Sequence, residues 1–306
     1  MDTAIPVPAG GGRPLLSIYG RATRAFSFPA SIVPVIVGTV LAARGYGGSA
    51  GAGWNPGLFV LILLGALMAH AGGNVLNDYY DFRAGVDTRP DDGSGVLTQG
   101  LLSPGEMFRF GYALLAGAGL IGGILLVVAP GARVAIVPLA VIGLGCAVLY
   151  TLALKRLALG DLVIMTAFGG GLTFGAYAVQ HPASSYGAAG LILLLSIPLT
   201  LLVDAILHAN NMRDAETDKA TGTRTIATLL GAPGSLVLHT VLIFGPPVVT
   251  VVFVFLRLIP VSALAVLLSA PLLIKAFRSG DVPFTAQSDL VFGLLYAIGI
   301  GVMPRP

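Results

Sequence analysis

The sequence predicts an all-α, polytopic membrane protein with nine transmembrane helices bundled around a central cavity. Three observations predict it. The 306 residues are 56% hydrophobic and only 10% charged, with a mean hydropathy of +0.90. That is more apolar surface than a water-soluble domain of this size buries. Nine apolar runs come close to the roughly 20 residues needed to cross a bilayer. The Lys and Arg residues are also distributed unevenly between alternate connections.

In chain order the runs are 26–44, 57–76, 108–128, 133–154, 161–180, 187–209, 235–255, 258–275 and 287–303. Prolines such as Pro34, Pro138, Pro198, Pro246 and Pro247 fall within them. Membrane helices tolerate this because neighbouring helices satisfy the freed carbonyls. Small-residue faces, including Gly117, Gly119, Gly122 and Gly123, suit close helix–helix approach. All Lys and Arg except Arg44, Arg133, Arg257 and Arg305 fall on the N-terminal side of this topology. The expected orientation is therefore N-terminus cytoplasmic and C-terminus outside, in a cell (inner) membrane. Residues 1–25 read as a cytoplasmic tail without a cleavable signal peptide, and 26–306 as one transmembrane domain. The single cysteine, Cys146, lies in an apolar run and allows no intrachain disulfide. The net charge of +3 is spread among loops, so no nucleic-acid partner is expected.

Two acidic stretches interrupt this pattern, in loops expected at about 77–107 and 210–234. The first, GGNVLNDYYDFRAGVDTRPDDGSGVLTQG (72–100), contains Asp78, Asp81, Asp87, Asp91 and Asp92; the second, HANNMRDAETDKATG (208–222), contains Asp214 and Asp218. Both fall on the cytoplasmic side. A weak internal repeat relates them, so that each half supplies one cluster to a shared site. His70, Asn74, Asn77 and Asp81 are spaced 4, 3 and 4, which is one helical face descending from the aqueous end. Gly85 allows the turn that would return Asp87 to that face. Asp204, His208 and Asn211 form a similar stripe in the second half.

Paired carboxylates with Asn carbonyls are hard oxygen ligands suited to Mg²⁺, which takes one or two carboxylates plus water and substrate phosphates. No Cys/His set has zinc spacing. Arg83, Arg213, Lys219 and Arg224 could hold phosphate oxygens. Tyr150, Lys155 and Arg156 form a further patch that could clamp a diphosphate, with Tyr150 facing the reacting carbon. Asp204, His208 and His70 are candidate general bases, Asp204 being an ionisable group within a span. A cation-coupled transporter is the alternative from another class. Acidic residues at loop level rather than at the midplane disfavour it.

The motifs NDYYDFRAGVD, followed by GLLSP, and NNMRDAETDKATGTRTIATLLG resemble those of the UbiA-type intramembrane aromatic prenyltransferases. They resemble most the branch that prenylates 1,4-dihydroxy-2-naphthoate, which implies a role in menaquinone biosynthesis. The resemblance covers nearly all nine spans. It implies Mg²⁺ bound through Asp78, Asp81, Asp214 and Asp218, with Asp87 at the last Asp of the first motif. Asn77, Asn211 and Arg213 also match motif positions. A polyprenyl diphosphate and an aromatic acceptor would be the substrates, and the lipid bilayer the setting. Other acceptors of this family type are 4-hydroxybenzoate, homogentisate, a porphyrin or a glyceryl lipid. The chain departs from its relatives at GSGVLTQG (93–100), where a basic residue is common. It also departs at Tyr150-x4-Lys155-Arg156, one residue longer than the ubiquinone-type pattern.

Overall fold

Prolines and capping side chains mark where the helices begin. The structure, a computed structural model, describes residues 14–48, 53–90, 92–149, 158–182 and 185–304. A short amphipathic helix α1 (Leu15–Ala22) is followed by α2 (Pro29–Ala43). Helix α3 (Pro56–Arg83) starts where the Asn55 side chain accepts from the Leu58 N–H, with Pro56 at its first position. Helix α4 (Pro104–Val128) has a reciprocal Ser103–Glu106 capping box. Next come α5 (Arg133–Leu149), α6 (Gly160–Ile164), a π-helical turn (Met165–Gly171) and α7 (Leu172–Gln180). Helices α8 (Ser185–Leu195) and α9 (Ile197–Ala220) form one path bent by 52°. Helix α10 (Ile226–Phe255) is broken at Gly231, whose φ of 66° only glycine adopts readily. A 3₁₀ segment (Val261–Ser269) leads into α11 (Ala270–Ser279), and α12 (Val282–Val302) ends the bundle.

Seven helical segments among the described residues are long and apolar enough to span a membrane, or eight if the bent α8–α9 path counts as one span. The expected nine spans are therefore not confirmed among the described residues. The fourth expected run, 133–154, is represented by the shorter apolar stretch Pro130–Gly145, and the end of that run lies outside the described residues.

The acidic stretches also differ from the expected loops. Helix α3 continues as helix through Asp78 and Asp81 to Arg83, and α9 continues through Asp214 and Asp218 to Ala220. Asp78, Asp81, Asp214 and Asp218 thus sit on helical extensions of spans, while Asp87 and Asp92 follow in the connection after α3. The irregular connections are shorter, running from Ala84 to Ser103 and from Thr221 to Thr225.

Packing places these two extensions opposite each other. Helix α3 packs chiefly on α4, and α9 chiefly on α10. Helix α2 touches α3, α7, α9 and α12, so it joins the halves. The largest core cluster gathers Val37 and Leu41 of α2, Leu199 and Leu202 of α9, and Phe292 and Tyr296 of α12. Between the halves an apolar cavity of about 210 Å³ remains.

Candidate active site

The two acidic motifs line one small pocket at the mouth of that cavity. Asn77, Asp81, Asp87 and Asp92 come from the first, and Asn210, Arg213, Asp214, Thr217 and Asp218 from the second. Helical spacing does this locally. Asn77 and Asp81 are four residues apart, and the Asn77 amide donates to Asp81 Oδ2 at 3.1 Å. Asn210 and Asp214 repeat the arrangement, the Asn210 amide donating to Asp214 Oδ2 at 3.2 Å. The internal repeat therefore pairs Asp81 with Asp214, and the supporting amide in the second half is Asn210. Asn211 is buried and lines the deeper cavity instead.

Gly85, with φ of 71°, provides the turn that returns Asp87. The N–H groups of Val86 and Asp87 fold back onto the Asp81 carbonyl. At Gly93, φ is 62°, and an added Cβ would lie 2.9 Å from both Asp78 Oδ1 and Asp87 Oδ2. That close approach draws the returning loop onto the carboxylates. Asp92 clamps the loop by accepting from the backbone N–H groups of Thr88 and Arg89. Burial works against its charge. Those two N–H groups and the Arg89 guanidinium outweigh that and hold the carboxyl below the usual carboxylate range.

Asp78 and Asp81 do not act alike. Asp81 lines the mouth pocket, whereas Asp78 lines neither cavity. The Asp78 carboxylate accepts from the Ser94 N–H at 2.8 Å and pairs with the Arg24 guanidinium. Arg24 also lines both the mouth and the deeper cavity. Sequence reasoning counted it only as a topology charge, because 54 positions separate it from Asp78. Arg21 sits one turn earlier. Its Nε donates to the Ser94 carbonyl at 2.7 Å, and its guanidinium lies against Gly95. The GSGV segment that lacks a basic residue thus receives one from α1.

The basic residues divide in two. Arg213 donates to both oxygens of Asp214 at 2.8 Å and to Asn210 Oδ1 at 2.8 Å, so it is part of the mouth. Arg83, Lys219 and Arg224 are exposed and line neither cavity. Arg83 lies two residues past Asp81, about 200° around the helix, and Lys219 lies about 100° past Asp218. Tyr150, Lys155, Arg156 and Asp91 lie outside the described residues.

Below the mouth, the wall carries a polar ladder of Asn77, Asn74 and His70, as the helical spacing predicts. His70 is not an open base. Ser27 Oγ lies 3.1 Å from its Nε2 and Ser31 Oγ 2.8 Å from its Nδ1, and Phe168 packs edge-on against its ring. Asp204 and His208 are buried and line neither cavity; they face away from it among α6 and α10. These two candidate general bases therefore stand behind the cavity wall rather than on it. On α9, the cavity face belongs to Val203, Ile206, Leu207, Asn210 and Asn211.

The donor set fits a hard divalent cation. Asp81, Asp87, Asp214 and Asp218 offer oxygens around one pocket, with Arg24, Arg89 and Arg213 beside them. Among the described residues no three carboxylate or imidazole groups enclose an ion by themselves. That is compatible with Mg²⁺, which takes one or two carboxylates and completes its shell with water and phosphate oxygens.

The sequence profile of the UbiA prenyltransferase family matches residues 31–297. The chain belongs to the UbiA prenyltransferase family. It is 36% identical to the chicken (Gallus gallus) UbiA prenyltransferase domain-containing protein 1, over 97% of this chain and 88% of that one. It is 35% identical to the human (Homo sapiens) counterpart, over 97% and 87%. A UbiA homologue from Aeropyrum pernix in its apo form has the same fold, with a TM-score of 0.66 over 94% of this chain and 98% of that one, at 18% identity. A UbiA homologue from Archaeoglobus fulgidus, solved bound to DMAPP and Mg2+, has a TM-score of 0.55 at 17% identity, over 93% and 99%. These similarities establish a multi-pass membrane prenyltransferase family and leave the branch open. The curated relatives quoted are of the domain-containing protein 1 type, so membership of the naphthoate branch does not follow from them.

Proposed function

We propose that this UbiA-family protein transfers a prenyl group from an allylic prenyl diphosphate to an aromatic acceptor. One observation carries the reading. Two acidic motifs, 136 positions apart from Asp78 to Asp214, line a polar mouth that opens into an apolar cavity. Arg24, Asn77 and Asn210 border both. A diphosphate fits the mouth and a hydrocarbon chain fits the cavity. UbiA homologues from Archaeoglobus fulgidus solved with DMAPP or GPP and Mg2+ support a prenyl diphosphate as the donor.

Asp81, Asp87, Asp214 and Asp218 would hold Mg²⁺, which supplies the positive charge that stabilises a departing diphosphate. Arg24 and Arg213 add cationic donors at the same mouth. The wall of Val163, Ile164, Ala167, Phe168 and Leu172 keeps water from the allylic carbon as its C–O bond breaks. The amides of Asn74 and Asn211 orient the hydroxyls of the acceptor, whose ring carbon attacks. From the Lys/Arg distribution, the mouth faces the cytoplasm of a cell-membrane protein.

The acceptor we propose is 1,4-dihydroxy-2-naphthoate, from the motif resemblance. A second reading is a neutral aromatic diol. Among the described residues lining the deeper cavity, Arg24 is the sole Lys or Arg, and it is engaged with Asp78. A carboxylate-bearing ring would gain little from such a wall. The test is purified protein in detergent with geranyl diphosphate, Mg²⁺ and a panel of phenolic acceptors, read by mass spectrometry. A prenylated product that disappears with EDTA and in Asp214→Ala is expected. Absence of product from every acceptor, or full activity in Asp214→Ala, overturns the reading.

A further inference from the structure

Behind the α6–α9 seam of the cavity wall lies a buried polar cluster that the functional reading leaves unused. Asp161 of α6, Asp204 and His208 of α9, and His239 of α10 have exposures of 8%, 2%, 0% and 1%. Asp161 Oδ1, Asp204 Oδ1, His208 Nδ1 and both ring nitrogens of His239 have no hydrogen-bond partner. Unsatisfied buried polar atoms are costly, and this many in one place ask for an occupant.

The hydrogen bonds of His208 indicate what that occupant is. Its Nε2 lies 3.1 Å from the Ser235 carbonyl oxygen and 2.9 Å from Ser235 Oγ. A carbonyl oxygen can only accept, whereas the hydroxyl can donate or accept, so both contacts are satisfied at once when Nε2 carries the hydrogen and Nδ1 is the lone-pair atom. Nδ1 faces Asp161 Oδ1 at 3.7 Å. Two acceptors therefore confront each other with no donor between them, and one proton placed there satisfies both.

The pair sits directly behind residues that touch the cavity. Val163 and Ile164 follow Asp161 on α6, Leu207 precedes His208 on α9, and all three line the cavity. We propose that Asp161 and His208 form a proton-accepting pair that takes up the ring proton released when the acceptor is prenylated. This rests on the prenyl-transfer reading. A bond forms between the ring carbon and the prenyl C1. The C1–O bond breaks, and its electrons leave with the diphosphate. The ring C–H bond then breaks, its electrons restore aromaticity, and its proton passes through a water in the seam to His208 Nδ1, held against the Asp161 carboxylate. The other titratable groups facing the pair are Asp204, in electrostatic reach of Asp161, and His239, whose ring centroid is 6.3 Å from that of His208. Helix α2 and the π-helical turn bring none, and α12 brings the buried Asp289.

The experiment compares wild type, Asp161→Asn and His208→Gln in detergent. The substrates are geranyl diphosphate and 1,4-dihydroxynaphthalene carrying hydrogen or deuterium on its ring. Both variants should lose about 10²-fold in kcat with KM unchanged, and should show a primary isotope effect that wild type lacks. Diphosphate release without an acceptor, which needs no ring proton transfer, should stay within about twofold. A parallel loss of transfer and of acceptor-free release, without an isotope effect, would mark a structural role and overturn the proposal. Variants that match wild type overturn it as well. Asp161→Asn is nearly isosteric and remains decisive if His208→Gln fails to fold. A wild type that prenylates neither 1,4-dihydroxynaphthalene nor any acceptor of the phenolic panel overturns the prenyl-transfer reading and this one together; product from wild type separates the two.

Discussion

Arg24 has an unusual backbone for a non-glycine residue, with φ of 51° at the junction of α1 and the first spanning segment. That conformation sets its guanidinium on Asp78, which is 5% exposed. Removing one partner of such a pair leaves a buried charge uncompensated, at a cost of about 3 kcal/mol or more. Arg24→Gln should therefore lower the unfolding midpoint in detergent and raise KM for the prenyl diphosphate. Asp78→Asn leaves the Arg24 guanidinium without its carboxylate, but that side chain is 16% exposed against 5% for Asp78, so the loss of stability should be smaller. An equal midpoint in both variants would show that the pair is not what holds the loop. The mouth residues were largely legible in the sequence because i,i+4 spacing places Asn77 beside Asp81 on any helix. Arg24 was not, because no local period connects positions 54 apart. Asn210 was harder still: it and Asn211 are chemically identical neighbours, and only the 100° between them decides which supports Asp214.

At the scale of the elements, the second acidic stretch is helical through Asp214 and Asp218, whereas the first is helical only through Asp78 and Asp81 and carries Asp87 and Asp92 on the returning loop. Polarity past the membrane boundary reads as a loop in sequence, yet α3 and α9 keep their backbone hydrogen bonds well beyond the apolar run. What sequence did foresee was the return of the chain at Gly85. Gly93 completes it, and the two carboxylates at 2.9 Å from its virtual Cβ make it sensitive. Gly93→Ala, strained at positive φ as well, should spread Asp78 from Asp87 and raise the Mg²⁺ concentration needed for half-maximal activity several-fold. An unchanged Mg²⁺ titration would dissociate the loop from metal binding. The π-helical turn carries a comparable constraint. A Cβ on Gly169 would lie 2.6 Å from Thr200 Cα, which is backbone and cannot step aside. Gly169→Ala should destabilise by about 1–3 kcal/mol, visible as a lower thermal midpoint, and should enlarge the seam between the turn and α9.

For the whole molecule, span count and site follow from different signals. Hydropathy found the apolar runs but could not separate a full span from the shorter Pro130–Gly145 helix or from the bent α8–α9 path, since composition is the same in each. The two-part site was more legible, because carboxylates at the ends of apolar helices have little reason to be there except a shared ligand. This division makes ligand binding a test of the architecture. The first motif is carried by α3 and the second by α9, so a Mg²⁺–diphosphate complex between them would bridge the halves. A ligand bound only to the folded state stabilises it by about 2.7 kcal/mol at a hundredfold excess over Kd. Geranyl diphosphate with Mg²⁺ should raise the thermal midpoint by more than the sum of the shifts from either alone. Asp81→Ala and Asp214→Ala, one in each half, should each abolish the excess, and the double variant should lose no more than either single one. Independent, additive losses would mean that each half binds its own ligand, and the shared mouth would then not be a single site.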